Sequence, residues 1–213
     1  MRVTEQARLA TRERILICAA GLFRAAGWER ATTRGIASAA GIAAGTVFNY
    51  FPAKEAIAVA LATRALAEGA RDFQALRRAD ASLEEDLFVF IWAGFRRLEP
   101  ERNWLAHALS AITAPACPAC ATPAGFGNPG PPANGYQSRP DSLAVTHLHA
   151  VARILAEHGF RATPVQMQLY WTLYAGILAH WTTDDSEYQQ DTLALLDQAL
   201  ILFAGSLKPD RDA

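Results

Sequence analysis

Two very short helical segments, joined by a glycine turn and closed off by a proline, constrain the fold of this chain more than any other feature. From Thr33 to Glu55 it reads TRGIASAAGIAAGTVFNYFPAKE. Thr32 or Thr33 can cap the first segment, which ends at Ala40, by accepting a bond from a first-turn amide. Gly41 suits a left-handed turn position that a residue with a Cβ would resist. The second segment runs from about Ala44 to Tyr50. Pro52 forbids smooth continuation, so a new helix opens at Lys54. Two short helices across a tight turn form a geometry that can lay one helix in the major groove of DNA while the other braces it.

The flanks are helical as well. Ile15, Ala19, Leu22 and Phe23 recur at helical spacing, predicting a first helix from near Thr4 to Ala26 with Gly27 as its stop. The helix opened by Lys54 is expected to reach about Ala79, with Ile57 and Leu61 inward. Ser82 and Glu85 have capping-box spacing ahead of an apolar stripe, Leu87, Ile91, Phe95 and Leu98. Another helix is predicted over 102–113. Residues 115–141 are dominated by Pro and Gly and read as a loop. Helix resumes from about Ser142 to His158. Thr163, Pro164 and Gln166 make a second capping box, with proline at the first helical position. The helix it opens, to about Thr182, is apolar on most sides. A last helix, 190–207, repeats Leu193, Leu196, Leu200 and Phe203. No strand-period segment or internal repeat is visible, so the expected fold is all-α. A helix apolar all round needs cover on every side, and a second copy of the chain is the natural cover.

Composition narrows the class. Hydrophobic residues make up 51% and charged residues 19%, enough to bury a core and too apolar for a disordered chain. No apolar run approaches the roughly 20 residues that span a bilayer. The charged start, MRVTEQARLATRER, lacks an apolar signal core, so a cytoplasmic protein with no membrane partner is expected. A net charge of −1 hides an asymmetry, with +5 on residues 1–54 and −6 on the remainder. A basic end on an acidic body suits a molecule that offers one face to a polyanion. No Ser-His-Asp arrangement, phosphate loop or paired-carboxylate motif stands out, so neither an enzyme nor a cofactor is expected.

Segment 11–55, TRERILICAAGLFRAAGWERATTRGIASAAGIAAGTVFNYFPAKE, resembles the DNA-binding domain of the TetR family of bacterial transcriptional regulators. The likeness spans Phe23 to Gly27, the Thr32-Thr33 pair, Ile36-Ala37, Gly41, and Gly45-Thr46 through Tyr50-Phe51-Pro52 to Lys54-Glu55. The resemblance implies a helix-turn-helix head over residues 1–52 and an effector-binding and dimerisation bundle over 53–213. It implies that Thr33 touches a backbone phosphate and that Arg34 reaches a phosphate or a base edge. Thr46 and Asn49 would face the groove floor, Phe48 and Tyr50 the sugar-phosphate wall, and Lys54 a phosphate. The chemistry agrees, since asparagine can pair bidentately with adenine and lysine is a point charge for phosphate. The implied function is a homodimeric repressor on a near-palindromic operator, released by a small molecule. The chain departs from the family pattern at Ala43 and Ala53, where capping residues are usual, at Ala44 in place of a basic residue, and at Phe48 in place of tyrosine. Missing caps predict a recognition helix poorly anchored until DNA orders it.

Two features stand outside that motif. Cys117 and Cys120 form a CxxC in the Pro/Gly-rich stretch, the spacing of a zinc or dithiol site. No second CxxC or HxxxH accompanies it, His147 and His149 face different sides of a helix, and no thioredoxin-like strand and helix flank it. The pair is expected to be incidental or a simple disulfide, with no metal bound; a thiol-redox or metal-responsive protein is the alternative. Trp92, Phe95, Trp104, His107, Trp171 and Tyr174 add aromatic surface to the central helices. As single residues they suit a packed core; together they could line a cavity for an apolar or aromatic effector.

Overall fold

The computed structural model describes residues 4–113 and 143–209, and these are helical almost throughout. The helices are α1 (Glu5–Ala26), α2 (Thr33–Ala39), α3 (Ala44–Phe48), α4 (Lys54–Leu76), α5 (Leu83–Leu98), α6 (Arg102–Ile112), α7 (Leu143–Glu157), α8 (Pro164–Thr183) and α9 (Gln190–Ser206). One small ladder accompanies them: β1 (Phe160–Arg161) pairs antiparallel with β2 (Lys208–Pro209). Two residues are too few to show a period of two, so no sequence pattern announced it.

The first three helices close on a small core in which Ile15, Phe23, Ile36, Val47 and Phe51 are buried. Thr4 caps α1, and the Gly27 amide ends it on the Phe23 carbonyl at 3.1 Å. Thr32, rather than Thr33, caps α2, its hydroxyl accepting from the Gly35 amide at 3.0 Å. Gly41 takes φ +63°, the left-handed position expected of the turn. Neither α3 nor α4 has a side-chain cap, because Ala43 and Ala53 have no oxygen to offer. α3 stops at Phe48, with Asn49 and Tyr50 in the turn that follows.

Below this head, α4 and α5 cross backbone to backbone. A Cβ on Gly69 would lie 2.6 Å from the Gly94 Cα, so a side chain there has no room. α4 ends at Leu76, short of the expected Ala79, because Arg77 turns to extended backbone. Its guanidinium pairs with buried Asp86 at 2.6 Å and with Glu157, and His158 Nε2 lies 2.7 Å from the same Asp86. The ends of α4, α5 and α7 are thereby tied together. Both expected capping boxes form, at Ser82 with Glu85 and at Thr163 with Gln166. At the α8–α9 corner, buried Asp184 accepts bonds from the amides and hydroxyls of both Ser186 and Thr192.

Candidate functional site

Val47 turns into the head core and is fully buried. Successive helical positions point about 100° apart, so its neighbours are carried outward. Phe48 is 52% exposed and Asn49 is exposed, while Thr46 and Tyr50 are half-buried. Thr33, the first residue of α2, is half-buried, and Arg34 beside it is exposed. Lys54 is differently placed. Its Nζ donates to the Trp28 carbonyl at 2.8 Å and sits 4.1 Å from the centre of the Trp28 indole. An ammonium has three donors, so this contact leaves two N–H groups for another partner. No local pattern links positions 28 and 54; the segment before α2 folds back onto α4 to bring them together. Arg12, counted in the head's charge but not among the candidate contacts, holds its guanidinium 5.1 Å above the Phe51 ring, just beyond α3.

The six candidate effector residues divide into two places. Trp104 and His107 lie where α6 meets the head. Trp104 packs on Phe23 at 5.0 Å and stacks on Trp28 at 6.1 Å. Its indole N–H donates to Glu101 at 2.6 Å, and the other oxygen of that carboxylate takes Arg24 of α1 at 2.5 Å. Glu101 is buried, so its charge is tolerated because both oxygens are bonded. His107 Nδ1 is 3.9 Å from Glu29. This is a joint between head and body.

Phe95, Trp171 and Tyr174 form a second cluster, which Trp171 joins to the other end of α6. The Tyr174 ring lies 5.3 Å from Trp171 and 6.0 Å from Phe95, and half-buried Trp92 is 6.3 Å from Phe95. The Trp171 indole donates to the carbonyl of Thr113, just past the end of α6, at 3.2 Å. Two residues outside the six effector candidates complete the cluster. The His147 ring is 4.1 Å from that of Tyr174, and its Nε2 is 2.9 Å from the Tyr170 hydroxyl. His147 lies on the buried face of α7 with Ala144, Val151 and Ile154, a helical spacing that could have placed it inside. Burial drives its pKa down to about 3. Burial likewise pushes the phenols of Tyr170 and Tyr174 up, so the cluster is polar but uncharged at neutral pH. Among the described residues, the buried Tyr174 hydroxyl meets no hydrogen-bond partner. Cys117 and Cys120 lie outside the described residues. Among those described, no group of three or more His, Cys, Asp or Glu is placed to hold a metal, and no helix is long and apolar enough to cross a membrane.

Residues 15–61 match the family model for bacterial regulatory proteins of the tetR family. None of the curated proteins matches the chain. Solved structures with this fold include Thermus thermophilus FadR, a TetR-family transcriptional repressor in complex with lauroyl-CoA. It is 24% identical, with 95% of this chain and 98% of that one covered and a TM-score of 0.65. A TetR transcriptional regulator from a Rhodococcus species is 16% identical over 96% and 100% of the two chains, with a TM-score of 0.63. The transcriptional regulator FadR from Bacillus subtilis, in complex with stearoyl-CoA, is 19% identical over 90% and 96%, with a TM-score of 0.55.

Proposed function

From the premise that this chain carries the helix-turn-helix head of the tetR family on an all-α body, we propose that it is a homodimeric repressor released from its operator by a small molecule. The observation that carries this reading is α3 with the turn after it, which buries Val47 and leaves Phe48 and Asn49 open to solvent. Residues 1–52 form the reading head, and residues 53–213 form the effector and dimer part. Thr46 and Asn49 read base edges, Phe48 and Tyr50 press on the backbone wall, and Thr33, Arg34 and Lys54 hold phosphates. The cytoplasm is where such a head meets its DNA.

Dimerisation is supported by an uncovered apolar face. Val165 and Leu169 of α8 and Leu195, Ile201 and Leu202 of α9 are all exposed, Val165 to 78% and Leu202 to 69%. Pairing α8 and α9 of two copies would cover it and set two recognition helices about a two-fold axis, one per half-site. The effector part has its own link to the head, because α6 touches the aromatic cluster at Thr113 and the joint at Trp104. An effector that prefers one setting of α6 shifts DNA affinity by its differential binding, typically about 1–3 kcal/mol. The acyl-CoA complexes among the fold neighbours make a long-chain acyl thioester a reasonable first effector to try.

Mapping the genomic DNA that the full-length protein occupies would supply its operator, and fluorescence anisotropy on that duplex tests the reading. A two-protomer complex on a near-palindrome, weakened by salt, is expected. A stable monomer, or no DNA retained even at low salt, would overturn it.

A further inference from the structure

We infer that the Tyr174 hydroxyl, set in the aromatic cluster of α7 and α8 beside the His147–Tyr170 pair, is the hydrogen-bond anchor for a small molecule presenting a neutral carbonyl on an apolar body. The inference rests on the proposed ligand response and names the class of ligand. An unpaired buried hydroxyl destabilises a folded protein, because water that would have bonded it is gone. Tyr170 is already engaged with His147 at 2.9 Å, so Tyr174 is the phenol left to an incoming group. A phenol donates well to a carbonyl oxygen.

The surroundings select against charge. His147, the ring nearest to Tyr174, has lost its basicity to burial and offers no positive charge to a carboxylate or phosphate. Neither phenol ionises to receive an ammonium group. A charged group placed here would lose its hydration without a counter-ion, whereas a ketone, ester or thioester carbonyl would need only the one donor. Phe95 and Trp171, with ring centres 6.0 and 5.3 Å from that of Tyr174, pack on the phenol and make its surroundings apolar, so a ligand has to part these rings to reach the hydroxyl.

The test compares full-length wild type with Tyr174→Phe by calorimetry, using propiophenone as the neutral carbonyl, benzoate and benzylammonium as charged counterparts, and lauroyl-CoA as a thioester. Propiophenone should bind wild type at least about tenfold tighter than either charged probe, and bind Tyr174→Phe about five- to tenfold more weakly than wild type. The same loss with lauroyl-CoA would assign the carbonyl to an acyl thioester; a loss with propiophenone alone would assign it to a small ketone. Without ligand, the Tm of Tyr174→Phe should rise by about 2–4 °C, since the variant removes an unpaired buried hydroxyl. Equal affinities in the two proteins, a preference for a charged probe, a lowered Tm, or no binding of either carbonyl probe would each overturn the assignment. If propiophenone binds through Tyr174 yet leaves wild-type DNA affinity unchanged, the anchor stands and the repressor reading falls.

Discussion

The two helices of the head begin in opposite ways. α2 starts on Thr32, whose hydroxyl takes the Gly35 amide at 3.0 Å. α3 starts on Ala43, which takes nothing. Behind α2 lie Ile36 and Ala37, both buried; behind α3 lies Val47 alone, with Phe51 following in the next turn. α2 is therefore fixed at its start and on its inner face, and α3 is held mainly from its C-terminal side. On the proposed DNA-reading role, the stronger tethers of this head lie on the bracing helix, as expected of a recognition helix that settles fully only against its groove.

That contrast can be broken experimentally at several strengths. Phe51→Ala should act most, removing the ring that pins the C-terminal side of α3 and costing about 3–5 kcal/mol in denaturant unfolding. A cost below about 1 kcal/mol would show that α3 is held by something else. Asn49→Ala should leave the fold intact and weaken binding by about 1–3 kcal/mol at particular base pairs. Equal losses on operator and random duplexes would remove its base-reading role. Thr32→Ala should cost about 0.5–2 kcal/mol, while Ala43→Ser should gain up to about 1 kcal/mol by supplying the missing cap. Amide exchange over residues 43–51 should slow in Ala43→Ser; exchange in wild type as slow without DNA as with it would erase the difference between the helices. Lys54→Ala is expected to make the smallest change, flattening the salt dependence of DNA binding by about one charge. An unchanged slope would mean that Lys54 serves only Trp28.

The head was legible because its rules are local. A glycine at φ +63°, a threonine cap and a proline stop act within a few residues, so the start of α2, the turn and the opening of α4 could be placed from the sequence. The two capping boxes of the body were legible for the same reason. What escaped depends on distant partners. Lys54 meets Trp28 across 26 positions, and Glu101, bonded to Trp104, meets Arg24 across 77. α4 stops early because Arg77 reaches Asp86 and Glu157 on other helices. The aromatic residues of the body could be named but not sorted, since helical periodicity gives a face and not the neighbour it meets. Only the packing of α6 separates Trp104 and His107, at the joint, from Phe95, Trp171 and Tyr174.

The contact of Gly69 with Gly94 fixes a fulcrum. With no side chains between the two backbones, any tilt of α4 that keeps this crossing closed must swing about that point. Lys54 stands fifteen residues up the same rod, about 22 Å away at helical rise. A rocking of about 10° at the fulcrum would carry the head some 4 Å sideways, close to the rise of one base pair.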